Sequence, residues 1–146
     1  MIEFEVHSRD LSRCQALEVL VIDNCLINLG DICSKSLRQL RIRDSGLYPE
    51  NIRTRISAPG LLTCELADCA GFTPWFGSLP SLITAYIRIT MESEVDCPPS
   101  STEYCEGFCC QDEYSVLLQG LSGATNLELI CDSNTMVCTL FVNCLC

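Results

Sequence analysis

A short phrase of apolar positions recurs four times in the first ninety residues of the chain. An apolar residue is followed three positions later by a second one, and two positions after that by a third. The four copies are Leu17, Leu20, Ile22; Leu37, Leu40, Ile42; Leu61, Cys64, Leu66; and, more loosely, Leu82, Ala85, Ile87. They begin 20, 24 and 21 residues apart. One unit of this size cannot bury its apolar edge alone, whereas stacked units can.

The last two apolar positions of each phrase are separated by one residue, and this apolar–x–apolar spacing predicts a short strand whose alternate side chains point inward and outward. Successive strands then lie side by side in the same direction, so the sheet is expected to be parallel. The repeat spacing is in the range of leucine-rich repeats. The sequence thus predicts an α/β leucine-rich-repeat solenoid with short parallel strands, irregular convex connections and few helices. A helical turn is expected in one connection, residues 27–36.

The outward positions of the predicted strands form the candidate binding face. Arg and Tyr are enriched at the energetic centres of protein interfaces. The alternative is a set of solvated sheet residues that pair with Glu65 and Asp23 across the strands. The outward positions also include Val19, Val21, Thr63, Ala67 and Thr84; the candidate binding residues are Asp23, Gln39, Arg41, Arg43, Glu65, Tyr86 and Arg88.

The pattern divides the chain into five parts. Residues 1–13 are a frayed segment or a remnant of a preceding repeat, and residues 14–90 are the repeats. Residues 91–113 combine Pro98-Pro99 with many acidic residues and four cysteines, as in a loop insertion. Residues 114–130 predict a helix and a fifth strand containing Leu127 and Leu129. Residues 131–146 are an atypical tail.

Charge and cysteine content narrow the functional classes. The net charge is -10, and residues 91–146 contain nine acidic residues and no Lys or Arg. Nucleic acid is therefore not an expected partner of this half, because phosphate contacts need Lys or Arg. The 13 cysteines are an odd number, and the first residues lack a basic segment and a long apolar stretch. Mostly free thiols in a reducing compartment, cytoplasm or nucleus, are expected.

The sequence contains no recognisable catalytic or phosphate-binding motif. The chain is therefore expected not to be an enzyme and to need no cofactor. The sole histidine, His7, lacks an orienting partner nearby in sequence. The longest apolar run, residues 136–146, is about half of what a membrane helix requires, so no membrane partner is expected. An alternative is that the acidic insertion is a metal- or redox-sensing loop. Its four cysteines could supply thiolate ligands, although their spacing is unlike that of paired Cys-x-x-Cys units. They are Cys97, Cys105, Cys109 and Cys110.

Several stretches together resemble the leucine-rich-repeat region of plant F-box proteins, particularly the grass-type group. The most specific are Ile56-Ser57-Ala58-Pro59-Gly60-Leu61 and Gly120-Leu121-Ser122-Gly123-Ala124-Thr125-Asn126-Leu127. The resemblance covers about residues 14–130, including the acidic insertion between the two phrases.

This resemblance implies the substrate-recruiting subunit of an SCF-type ubiquitin ligase, whose repeats choose the target protein. In that family an N-terminal F-box docks on a Skp-type adaptor. No F-box phrase precedes residue 14, so a truncated chain is expected, with adaptor binding only where an upstream F-box exists. A repeat protein that binds partners without a ligase is the second alternative.

Overall fold

The computed structural model describes residues 5–7, 11–47, 53–94, 120–133 and 136–143. Strands dominate these ranges, and a 3-10 turn spans Leu11–Arg13. The strands are β1 Glu5–His7, β2 Val19–Asp23, β3 Leu26–Asn28, β4 Asp31–Cys33, β5 Gln39–Arg43, β6 Gly46–Leu47, β7 Arg55–Ser57, β8 Thr63–Phe72, β9 Trp75–Phe76, β10 Thr84–Glu94, β11 Asn126–Ser133 and β12 Met136–Asn143.

The larger sheet contains the predicted repeat strands as parallel neighbours. β2, β5, β8, β10 and β11 lie side by side in that order, and every pair among them is parallel. The register aligns the phrases without a slip, which confirms the predicted parallel sheet. One inward row is Leu20, Leu40, Cys64, Ala85 and Leu127, and the next is Ile22, Ile42, Leu66, Ile87 and Leu129.

The turn that enters each of these strands is also repeated. The carbonyl oxygen of Glu18 accepts the backbone N–H groups of Arg38 and Gln39, at 2.8 and 3.0 Å. The carbonyl oxygen of Arg38 accepts those of Leu62 and Thr63 in the same way, and Leu62 repeats the pattern one unit later. Each unit thus anchors the start of the next one. The first leucines of these phrases, Leu37, Leu61 and Leu82, are buried beneath the turns.

The connections form a second parallel sheet, β4-β7-β9. Its register places Ile32 beside Ile56 and Ile56 beside Phe76, and all three are buried. The predicted helical turn over 27–36 is therefore wrong, and these connections are regular rather than irregular. Strands of two or three residues are too short to show alternation, so their apolar residue is equally compatible with one turn of helix.

Among the described residues, one apolar cluster joins the two sheets. The cluster contains Ile42 and Leu66 from the larger sheet together with Ile32, Ile56 and Phe76 from the smaller one. Thr54 is a buried polar exception, and its hydroxyl donates to the carbonyl oxygen of Leu29 at 2.8 Å. The core is thus built from the apolar positions of the phrase and of the connection alike.

The ends of the sheet are made differently from its middle. At one end β1 pairs with β3, in parallel. At the other end β12 pairs with β11 in the antiparallel direction, with Leu129 opposite Leu140. β10 continues to Glu94, past the start of the acidic insertion; most of that insertion and the predicted helix from Tyr114 lie outside the described residues. No helix in the described ranges has both the length and the apolar character to cross a membrane.

Candidate protein-binding face

The outward residues of β2, β5, β8 and β10 form one continuous surface, called the polar face below. The register arranges them in three rows that cross the strands. All seven candidate binding residues lie on this face, because they share the outward parity of neighbouring parallel strands. The rows are Val19, Gln39, Thr63, Thr84; then Val21, Arg41, Glu65, Tyr86; then Asp23, Arg43, Ala67, Arg88.

Glu65 organises the centre of the polar face. One of its carboxylate oxygens accepts a hydrogen bond from Arg41 Nε at 2.7 Å, and the other accepts a hydrogen bond from Arg43 Nε at 2.6 Å. Arg43 Nη2 contacts the same oxygen as Arg43 Nε. Glu65 is 19% exposed, against 39% and 44% for the two arginine side chains. Two guanidinium groups therefore share one carboxylate, which fixes their orientation and leaves part of each accessible to a partner.

A cavity of about 450 Å³ lies beside this cluster. Ala67 faces outward as predicted but is only 6% exposed, because the larger side chains around it rise above its methyl group. On the far side, Arg88 Nε lies 3.5 Å from Asp68 Oδ1. The cavity thus combines an aromatic ring, a guanidinium and carboxylates around a small apolar residue. Its lining is Arg43, Asp44, Glu65, Ala67, Asp68 and Tyr86.

Asp44 and Asp68 also line the cavity on the polar face, although they are not among the binding residues predicted from the sequence. Each follows directly after an outward position, and each has a positive φ, 46° and 53°. Asn24 has the same conformation, with a φ of 52°, at the matching place in the first phrase. Asn and Asp tolerate this left-handed region better than other side chains. The signal in the sequence was an Asx residue at one place in three successive phrases.

Small polar side chains behind these turns hold the strand ends together. Ser45 Oγ donates to the carbonyl oxygen of Arg43 at 2.6 Å and accepts the backbone N–H of Cys25 at 3.2 Å. Cys25 Sγ and Cys69 Sγ make the corresponding bonds to the carbonyl oxygens two residues earlier, at 3.1 and 3.5 Å. The small residues at these positions therefore have a structural role beneath the polar face.

Two of the described cysteines, Cys64 and Cys69, are buried thiols of low reactivity. Cys14, Cys25, Cys33, Cys64 and Cys69 are not in disulfides. Burial raises the pKa of the Cys64 thiol to about 12, with a smaller contribution from Glu65. Burial likewise raises the pKa of Cys69, to about 11. Both thiols are protonated at neutral pH, and a protonated thiol is a poor nucleophile and a poor metal ligand.

The metal- or redox-sensing alternative concerns the acidic segment with Cys97, Cys105, Cys109 and Cys110, which lies outside the described residues. Within the described ranges, no group of three or more His, Cys, Asp or Glu side chains is arranged to hold a metal ion.

Comparison with known proteins adds no family assignment. No family model, curated protein or solved structure matches this chain.

Proposed function

We propose that the chain is a leucine-rich-repeat solenoid that recognises a protein partner through the polar face. The observation that supports the proposal is the common register of five parallel strands across the repeat phrases; the pairing of β8 with β10 shifts only beyond Arg88. Each strand contributes inward apolar residues and an outward side chain to the same rows. Strands related in this way build an extended surface suited to binding rather than an enclosed site suited to reaction.

The composition of the polar face favours a protein ligand. Arg43 and Tyr86 border the same cavity, and both residue types are common in interface hot spots. Glu65 holds the side chains of two arginines in place before a partner binds. Because these side chains are already ordered, less conformational entropy is lost on binding. A partner segment with both apolar and charged side chains fits this mixture.

The resemblance to F-box proteins gives the proposed biological role, which is target recognition for SCF-type ubiquitin ligation. On this proposal the repeats bind the protein to be ubiquitinated, and a Skp-type adaptor binds only through an upstream F-box. The chain on its own should therefore bind the target without binding the adaptor.

The test begins with proteins captured from a cell extract and continues with each purified candidate in a direct binding titration. Arg43→Ala and Tyr86→Ala are each expected to weaken binding about tenfold, or about 1.4 kcal/mol. Lys35→Ala is the matched control, since it removes an exposed cation away from the polar face. A partner that binds both face variants as tightly as the unaltered protein would refute the proposed face.

A second experiment separates the ligase role from simple scaffolding. A confirmed target is followed in cells that express the chain joined to an upstream F-box, with and without Arg43→Ala. Adaptor-dependent ubiquitination of the target that Arg43→Ala reduces is the expected result. Binding without any ubiquitination would favour the ligase-independent alternative.

A further inference from the structure

Two arginines and one carboxylate form the centre of the polar face, and their charges do not cancel. Arg41 and Arg43 are outward residues of β5, and both donate to Glu65 on β8. Two positive charges therefore face one negative charge, which gives the three side chains a net charge of +1. β5 lies between β2 and β8, and β8 lies between β5 and β10. The excess charge thus belongs to the interior of the sheet and not to one of its edges.

The two guanidinium groups also have more hydrogen-bond donors than Glu65 can accept. Together they carry about ten N–H donors, whereas one carboxylate offers about four acceptor sites. Arg43 directs Nε and Nη2 to Glu65, and Arg41 makes its closest contact there through Nε. Beyond Glu65, neither arginine has a hydrogen-bond or ion-pair partner among the described residues. About six donors therefore remain for a ligand, on side chains that are 39% and 44% exposed.

The surroundings of Arg41 are more favourable to a further anion than those of Arg43. Arg43 has Asp23 beside it in the register and Asp44 next to it in the chain. Arg41 has no acidic neighbour in the register or along β5 other than Glu65. Because like charges repel, an incoming anion is opposed by two more carboxylates at Arg43 than at Arg41. Arg41 is therefore the better receiver of a negatively charged group.

We propose that the partner bound by the polar face presents an Asp or Glu side chain to Arg41, and that its carboxylate accepts donors that Glu65 leaves unused. The inference rests on the proposed function of this face and names the anchoring group of its partner. Arginine binds carboxylates through paired, charge-assisted hydrogen bonds. One carboxylate also brings the charge of the cluster to zero. A phosphoryl group, with a charge of about -1.5 to -2, would leave an excess of negative charge beside Glu65.

Acetate, which stands in for a carboxylate side chain, tests the site without a partner. NMR of the arginine Nε–Hε groups follows additions of sodium acetate, or of sodium chloride at equal ionic strength, to the unaltered protein. The Arg41 signal, identified by its loss in Arg41→Gln, is expected to shift to a plateau with acetate and to move less with chloride. Arg55, stacked 4.9 Å above the Trp75 ring on the smaller sheet, is the internal control and should respond equally to both salts. Equal responses of Arg41 to acetate and chloride would overturn the proposal.

A double-mutant cycle with a captured partner tests the same group within the complex. Each Asp or Glu of the partner is changed to its amide, and each variant is titrated against the unaltered chain and against Arg41→Gln. At one acidic residue, either single change is expected to weaken binding about tenfold, and both together about as much as either alone. Arg55→Gln is the matched control and should leave binding unchanged. The absence of any acidic residue of the partner that couples to Arg41 would overturn the proposal.

Phosphatase treatment of the partner before the titration separates a carboxylate from a phosphoryl group. Unchanged binding is the expected result, and a loss of binding would assign the anion to a phosphorylated residue and overturn the carboxylate anchor. The results also separate this inference from the proposed function. A partner insensitive to Arg43→Ala and Tyr86→Ala refutes the polar face itself. A partner that these variants weaken, but whose acidic residues do not couple to Arg41, refutes only the acidic anchor.

Discussion

Raising the pH above 9 should destabilise the fold through two buried thiols. In the unfolded chain Cys64 and Cys69 have the ordinary pKa of 9.0, and in the fold burial raises these to about 12 and about 11. Below pH 9 both states are protonated, so the stabilising effect is fully present. Above pH 9 the unfolded state loses its protons first, so the free energy of unfolding falls as pH rises. One pKa unit corresponds to about 1.4 kcal/mol, which gives a loss of about 1 kcal/mol per thiol between pH 8 and 10.

Urea unfolding followed by circular dichroism, with a reducing agent present, measures this dependence at pH 8, 9 and 10. Cys64→Val is expected to lose about 1 kcal/mol less than the unaltered protein over this interval, because it lacks one of the two thiols. Leu40→Val is the control, as it alters the neighbouring core position in the same row without removing a thiol. If Cys64→Val and the unaltered protein decline in parallel, the assignment of the pH effect to Cys64 is refuted.

Three further predictions concern the packing and the polar face, and the same urea assay measures the free energy of unfolding in each. Ile83→Ala, at an exposed site, is their common control; its free energy of unfolding should be within about 0.5 kcal/mol of that of the unaltered protein. Leu40→Ala should cost about 3 kcal/mol, because the side chain is fully buried in the middle of the inward row; a cost below about 1 kcal/mol would contradict that packing. Ser45→Ala should cost about 1–2 kcal/mol, since it removes an acceptor and a donor beneath the strand ends; no change would show that water replaces them. A double-mutant cycle of Arg41→Ala and Glu65→Gln should give a coupling of about 0.5 kcal/mol, the usual size for a partly exposed ion pair; zero coupling would mean that the pair does not persist in solution.

The repeat strands could be predicted because their pattern is local and their period is regular. Leu40 and Ile42 alternate with outward residues on one strand, and the next phrase repeats that alternation at a similar distance. Parallel pairing then follows from stacking alone, and the structure confirms it. The smaller sheet could not be predicted, since Ile32 and Ile56 are single buried residues within three-residue strands.

The candidate face was only partly predictable, because charge arrangement depends on diagonal contacts. The alternation identified Arg43 and Glu65 as outward residues. Only the structure showed that Arg43 reaches across to Glu65, because the position directly opposite Arg43 in the register is the small Ala67. The pairing of β12 with β11 likewise depends on the path of the chain after Asp132, which carries no repeat phrase.

The amino-acid sequence by itself determined the inward rows, the parallel direction of the repeat strands and the side chains available on the polar face, because each follows from a period of two within strands and of about twenty between them. The tertiary structure decided which arginines share Glu65, where the cavity lies, and which connections pair as the smaller sheet. Those features depend on distances between residues that are about twenty positions apart in sequence, and only the stacked chain fixes such distances.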